Sequence, residues 1–126
     1  MTKILVAEDE RDIRELIAFT LRFAGFDVKL AKNGAEAVEM VDVENPDLII
    51  LDVRMPKMTG YEACRKIKAD PGTKDTPVMI LSAKGQEVEI QQGLESGADE
   101  YILKPFVPDE LVAQVKDILK RMGIEG

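Results

Sequence analysis

Residues 47–52 read DLIILD, which places four consecutive apolar side chains between two acids. Side chains of a strand point alternately to its two faces, so a strand without polar alternation is buried on both faces, as in a parallel sheet covered by helices. Residues 4–7, 78–81 and 101–103 form apolar runs of the same kind. Phe26, Val28 and Leu30 alternate instead with polar neighbours, which is typical of an edge strand. The chain therefore predicts a sheet of five strands.

Helical stretches fill the gaps between these strands. Two of them carry apolar stripes that predict core-facing helices: Ile13, Leu16, Ile17, Leu21 and Ala24 in the first, and Leu111, Val115, Ile118 and Met122 in the last. Residues 35–43, 61–69 and 88–96 predict three more helices, and Gly93 makes the last of these three the most adjustable. With right-handed crossovers, five β-α units give one α/β domain over residues 1–126, built on a doubly wound parallel sheet with five helices.

The composition excludes several classes of function. A net charge of −7 gives a field that repels a phosphate backbone, which argues against nucleic acid as a direct ligand. The chain has no histidine, so it cannot build a Ser-His-Asp triad, a histidine metal site or a phosphohistidine of its own. Its one cysteine, Cys64, excludes an internal disulfide. No run approaches the length of a membrane span, and we expect a cytoplasmic protein.

Polar side chains that could bind a ligand or take part in a reaction lie where the predicted strands end. They are Glu8, Asp9 and Glu10 after the first strand, Asp52 at the end of the third, Ser82 after the fourth and Lys104 after the fifth. Ligands of open α/β sheets bind at the carboxyl ends of the strands. A charged residue at one strand end is commonly just a solvated loop residue. Four separate strand ends that deliver acids, a hydroxyl and an amine to one rim predict a site.

The acids of this rim predict a bound divalent cation. Two carboxylates 4 Å apart repel by about 4 kcal/mol at an effective dielectric constant of 20, and a hard cation offsets that repulsion. Mg²⁺ is favoured because it keeps several waters and needs only one or two carboxylates. Pro105 restricts the backbone of Lys104 to an extended conformation. Lys104 and the cation would together neutralise the charge of a phosphoryl group, and Ser82 would donate a hydrogen bond to it. Asp52, at the end of the most apolar strand, is the natural nucleophile.

Four segments in this order resemble the receiver domains of bacterial response regulators. They are ILVAEDE at residues 4–10, DLIILDVRMP at residues 47–56 with Gly60 following, LSA at residues 81–83, and GADEYILKPF at residues 97–106. Each motif alone is weak, but the ordered set is specific and spans nearly the whole chain. The resemblance implies a flavodoxin-like fold with strand order 2-1-3-4-5.

The resemblance also assigns the phosphorylation chemistry. It implies that Asp52 is the phosphoacceptor, and that Asp9, Asp52 and the backbone carbonyl of Arg54 bind Mg²⁺ directly while Glu8 reaches the ion through water. Lys104 would bind the phosphoryl group. The donor would be a sensor histidine kinase, a phosphotransfer protein or a small phosphodonor. The protein would then be a signalling switch that catalyses its own phosphorylation and dephosphorylation, and not an enzyme acting on outside substrates.

The same resemblance names the residues of the switch. Ser82 would turn towards the phosphoryl group and Tyr101 would follow it inward, changing the face formed by the fourth predicted helix, the fifth strand and the fifth predicted helix. Arg54 and Lys84 flank the site where the family tunes loss of the phosphoryl group. Gln114 replaces the arginine that winged-helix members of the family use across a dimer, so we expect a monomer or weak dimer. The sequence ends soon after Arg121 without a clear linker, so we expect a stand-alone regulator rather than a receiver cut from a longer protein.

Three other classes of function remain open alternatives. A phosphatase of the haloacid dehalogenase type also uses a strand-end aspartate and Mg²⁺, but it needs a second acid where this chain has Arg54. A flavodoxin-like electron carrier must hold a flavin phosphate in its first loop, where Glu8, Asp9 and Glu10 would repel it. A degenerate receiver that docks to partners without phosphorylation would not need the complete set of acids, Ser82 and Lys104.

Overall fold

The computed structural model describes residues 2–83 and 96–123, which contain five strands and four helices. In chain order these elements are β1 Lys3–Ala7, α1 Arg11–Phe23, β2 Asp27–Ala31, α2 Gly34–Glu44, β3 Leu48–Asp52, α3 Gly60–Ala69, β4 Val78–Ala83, β5 Glu100–Lys104 and α4 Pro108–Arg121. Four of the five predicted helices are confirmed, and α4 is the last of the predicted five. The helix predicted over residues 88–96 lies outside the described residues except for Ser96, which is in a turn. No described helix is long and apolar enough to cross a membrane.

The five strands form one parallel sheet in the order β2-β1-β3-β4-β5, as predicted. All five residues of β3 are buried because the strand lies at the centre of the sheet with helices on both faces. β2 is an edge strand, which its alternating pattern predicted. The prediction that residues 101–103 are buried on both faces was wrong. β5 is the other edge, and Leu103 there is 39% exposed because no further strand covers it.

Apolar side chains form a core on each face of the sheet. Ile4, Val6 and Ile50 pack with α1 and α4, while Leu5, Ile49 and Leu51 pack with α2 and α3. The predicted stripes of the first and last helices are buried at most of their positions. Ile13 and Ala24 are half-buried, whereas Leu16 is 44% exposed and Met122 is 42% exposed. Leu16 lies at the border of the buried stripe of α1, and Met122 caps α4 beyond its last turn.

Side-chain caps set the starts of two of the described helices. Asn33 accepts a hydrogen bond from the backbone N–H of Glu36 at 2.8 Å, and this cap begins α2. Thr59 and Glu62 form a capping box that begins α3. α4 begins without a side-chain cap at Val107. Because the strands are parallel, the loops after β1, β3 and β5 lie at one edge of the sheet.

Candidate functional site

The predicted site residues meet at the carboxyl edge of the sheet. Asp52 ends β3, Glu8 directly follows β1, and Lys104 ends β5. In the parallel register Asp52 pairs with Leu81, and Lys104 pairs with Ala83. Lys104 therefore starts two strands away from Asp52, and its long side chain reaches across β4 to the aspartate.

Three carboxylates form the acidic part of the site. Glu8, Asp9 and Asp52 each offer an oxygen within 4.8 Å of the other two. Glu8 is 1% exposed and Asp52 is 5% exposed, whereas Asp9 lies at the surface. At 4.8 Å and an effective dielectric constant of 20, each pair of charges repels by roughly 3 to 4 kcal/mol. The cluster therefore needs positive charge, and its donors are hard oxygens that suit Mg²⁺.

Lys104 supplies part of that positive charge. Its Nζ lies 2.7 Å from Oδ1 of Asp52 and donates a hydrogen bond to Oε1 of Glu8 at 3.1 Å. Burial lowers the pKa of Lys104, but the hydrogen bond and charge of Asp52, together with Glu8, outweigh it and raise the pKa above its ordinary value. The ammonium is therefore firmly charged and is shared between two buried carboxylates.

The pKa of Glu8 is raised by its burial and by the carboxylate beside it. Burial raises the pKa of Glu8 most, the neighbouring Asp52 carboxylate raises it further, and the pKa reaches about 7. A hydrogen bond from the backbone N–H of Glu10 and the charge of Lys104 act in the opposite direction without overcoming the burial. At neutral pH the site is short of positive charge.

Ser82 adds a buried hydroxyl beside these charges. It is 1% exposed, and its Oγ has no hydrogen-bond partner among residues 2–83 and 96–123. An unpaired buried hydroxyl costs free energy, and such groups are rare in folded proteins. Ser82 therefore keeps its donor available for a ligand at this edge.

Of the remaining predicted residues, the structure describes Arg54 and Tyr101. Arg54 is exposed in the loop after β3, two residues beyond Asp52. Tyr101 is half-buried on β5 and packs against the core cluster of α2 and α3. It also lines an open groove with Leu103, Phe106 and Gln114, among others. Lys84 lies outside the described residues.

Sequence reasoning missed Arg14. Its Nη1 donates hydrogen bonds to the backbone carbonyls of Glu8 at 2.9 Å and Asp9 at 3.3 Å, which fixes the acidic loop against α1. An arginine in the first turns of a helix usually faces solvent, so its spacing from the acids alone carried no signal. Its contacts require the turn between β1 and α1 to be known.

Comparisons with known proteins agree with this geometry. The sequence model of the response regulator receiver domain matches residues 4–116. The phosphate regulon transcriptional regulatory protein PhoB of Pseudomonas aeruginosa is 47% identical over 120 residues, covering 95% of this chain and 52% of that protein. The DNA-binding response regulator MtrA of Mycobacterium tuberculosis is 43% identical over 119 residues, covering 94% of this chain and 51% of that protein. The chain thus spans about half the length of these relatives.

Solved structures give the same family. The chemotaxis protein CheY4 of Vibrio cholerae superposes with a TM-score of 0.89 and 34% identity, covering 94% of this chain and 99% of that one. The residues that the family model matches include Glu8, Asp52, Ser82 and Lys104. This chain belongs to the response regulator receiver domain family of two-component systems.

Proposed function

We propose that the protein is a phosphorylation-activated switch in which Asp52 accepts a phosphoryl group from a sensor histidine kinase, a phosphotransfer protein or a small phosphodonor. One observation carries the proposal: a buried Asp52 lies 2.7 Å from a charged lysine, within 4.8 Å of two further carboxylates. Acids that only stabilise a fold are usually paired one to one with bases. Here the surplus negative charge and the hydroxyl of Ser82, which has no partner among the described residues, are complementary to a cation and a phosphoryl group.

The donor set fits Mg²⁺. Asp9 and Asp52 would bind the ion through carboxylate oxygens, Arg54 through its backbone carbonyl, and Glu8 through a water molecule. The ion supplies positive charge that offsets the three carboxylates and polarises the phosphoryl oxygens. Glu8 fits this role because burial and the neighbouring Asp52 carboxylate raise its pKa to about 7, and a cation nearby would offset the repulsion between the two carboxylates.

The chain's own residues carry the transfer. A carboxylate oxygen of Asp52 attacks phosphorus in line, and the bond from phosphorus to the donor's oxygen or nitrogen breaks with its electron pair leaving on the donor. Lys104 exchanges its contact with the Asp52 carboxylate for the new phosphoryl oxygens. Ser82 donates its free hydrogen to another of those oxygens. Water later attacks phosphorus, the bond from phosphorus to the Asp52 oxygen breaks with its electron pair returning to the carboxylate, and inorganic phosphate leaves. Arg54 and Lys84 would tune the rate of this step.

Phosphorylation would change the surface that the protein offers to partners through β5. Movement of Ser82 towards the phosphoryl group lets Tyr101 move inward and changes the face formed by the segment before β5, β5 itself and α4. Such a switch works by shifting a two-state equilibrium, and a swing from 1:99 to 99:1 needs about 5.5 kcal/mol of differential interaction. We also propose that the protein is cytoplasmic and that it is a monomer or a weak dimer. Its partners would be a kinase and an effector protein. The net charge of −7 argues against direct nucleic acid binding by this domain.

Intact mass after incubation with acetyl phosphate tests the proposal. Wild type should gain one phosphoryl group with Mg²⁺ and none without it, and Asp52→Asn should gain none under either condition. Asp47→Asn is the matched control, because Asp47 lies at the other end of β3 and accepts a hydrogen bond from the backbone N–H of Lys3. This control should be phosphorylated like wild type. Equal gain by Asp52→Asn, or no gain by wild type, would overturn the proposal.

A further inference from the structure

The loop between β3 and α3, residues 53–59, has a strained backbone. Lys57 has a φ of 69°, in the left-handed region that side chains other than glycine rarely adopt. The backbone N–H of Met58 donates to the carbonyl of Pro56 at 2.8 Å, so Lys57 is the centre of a three-residue γ-turn with positive φ. Turns of this kind persist only where the surroundings hold them. The loop must therefore be held from outside.

One contact that holds the loop lies at Gly60. The backbone N–H of Gly60 donates to the carbonyl of Val53 at 3.0 Å, which closes the loop on itself. A Cβ at Gly60 would collide with the carbonyl oxygen of Asp52. The start of α3 thus lies directly against the backbone of the proposed phosphoacceptor.

A second contact comes from a different part of the chain. Gly34 is the buried first residue of α2, and a Cβ there would collide with the carbonyl oxygen of Met58 and lie 2.9 Å from its carbonyl carbon. The Met58 carbonyl faces the amino end of α2, where the helix dipole favours a carbonyl oxygen. The loop is therefore held between Gly34 on one side and Gly60 on the other.

We propose that Gly34 is a positioning residue for the cation side of the phosphorylation site. The inference rests on the proposed function, because Arg54, whose carbonyl is a proposed Mg²⁺ ligand, lies between the two points at which the loop is held. A methyl group at position 34 would push the Met58 carbonyl away by roughly 1 Å, since close-packed interiors cannot absorb the overlap. Gly60 holds the other end of the loop, so the displacement is carried towards Arg54. Gly34 touches neither the ion nor the phosphoryl group and acts through the loop.

Calorimetric titration of the full chain with Mg²⁺, normalised to the folded fraction, tests this role. Gly34→Ala should bind Mg²⁺ roughly tenfold more weakly than wild type, as loss of a group that orients metal ligands commonly does. The Mg²⁺ concentration that gives half-maximal phosphorylation by acetyl phosphate should rise by the same factor, while the rate at saturating Mg²⁺ is retained. A purely structural glycine would lower the thermal midpoint and leave the Mg²⁺ Kd of the folded protein unchanged.

Two control variants separate positioning from stability. Ala37→Gly destabilises the same helix at a fully buried position without adding an atom against Met58, and Gly72→Ala adds a methyl group whose nearest neighbour is Asp70 Oδ1 at 3.5 Å. Both should bind Mg²⁺ like wild type. A wild-type Kd in Gly34→Ala, or equal weakening in Ala37→Gly, would overturn the inference. A wild type that binds no Mg²⁺ would overturn the proposed function and this inference with it.

A double variant tests the same role if Gly34→Ala alone does not fold. Lys57→Gly removes the cost of positive φ and lets the loop yield to a methyl group at position 34. Gly34→Ala/Lys57→Gly should fold and bind Mg²⁺ roughly tenfold more weakly than Lys57→Gly alone. Equal affinity of these two variants would overturn the positioning role.

Discussion

At the amino end of the sheet Lys68 and Asp99 form a matched pair, whereas at the carboxyl end Lys104 faces two buried carboxylates. Lys68 Nζ lies 2.8 Å from Asp99 Oδ2 and also donates to the carbonyls of Lys74 and Thr76. The same Asp99 oxygen accepts from the backbone N–H of Val78 at 2.9 Å. Every group of this pair is used in joining α3, β4 and β5.

The carboxyl end is arranged differently. Lys104 is shared between Asp52 and Glu8, the pKa of Glu8 is raised to about 7 by burial and by Asp52, and the buried Ser82 hydroxyl has no partner within the described part of the chain. A pair that is satisfied by protein groups contributes to stability and has no capacity left for a ligand. A cluster with surplus charge and an unused donor loses stability and gains the capacity to bind.

Replacing Lys104 or Lys68 by glutamine should give the largest difference between the two ends of the sheet. Lys104→Gln should slow phosphorylation of Asp52 by acetyl phosphate by roughly 10²- to 10³-fold, since it removes a charge aimed at the transferring group. Lys68→Gln should keep the wild-type rate and lower the free energy of unfolding by about 1–3 kcal/mol, because it breaks charged hydrogen bonds. Phosphorylation by mass spectrometry and urea denaturation measure the two effects. A slowed Lys68→Gln with an unimpaired Lys104→Gln would contradict the assignment of the two ends.

The pH dependence of stability should separate the two ends next. In the folded protein the pKa of Glu8, about 7, lies above its ordinary value of 4.5, so the folded state binds this proton more tightly than the unfolded state. The resulting stabilisation of the metal-free protein is complete below pH 4.5 and is lost as the pH rises to about 7. The difference in unfolding free energy between wild type and Glu8→Gln should change across this window by an amount on the order of 1–3 kcal/mol.

Urea denaturation in EDTA at several pH values measures this difference. Glu44→Gln is the matched control, because Glu44 pairs with Lys3 at the amino end of the sheet. Its stability curve should run parallel to that of wild type. Parallel curves for wild type and Glu8→Gln would show that Glu8 takes up no proton in this range.

The sequence predicts the fold well where burial alone decides it. The unbroken apolar run of β3 requires cover on both faces, and the alternation in β2 requires one solvated face; the sheet order confirms both. The sequence predicts the burial of a side chain less well where an apolar residue lies at the edge of the sheet. Leu103 reads like a core residue and is 39% exposed, because only the sheet order makes β5 an edge.

The residue types of the site were also predictable, because parallel strands must end at one edge. The structure brings Glu8, Asp9, Asp52 and Lys104 together. Their roles in Mg²⁺ binding and phosphoryl transfer stay predictions. What the sequence could not supply is contact between distant loops, such as that of Gly34 with Met58, because no periodicity or motif encodes it.

Loss of a buried hydroxyl should give the smallest contrast. Ser82 Oγ has no partner among the described residues, so Ser82→Ala removes an unsatisfied group and should leave metal-free stability unchanged or raise it by less than about 1 kcal/mol. Thr73, before β4, donates from Oγ1 to the carbonyl of Ile67 at 2.7 Å and is also buried. Thr73→Val breaks this bond and should cost about 1 kcal/mol. Paired urea denaturation curves measure both. Equal destabilisation by the two changes would mean that Ser82 is satisfied in the resting protein, and the carboxyl end would then have no spare donor for a phosphoryl group.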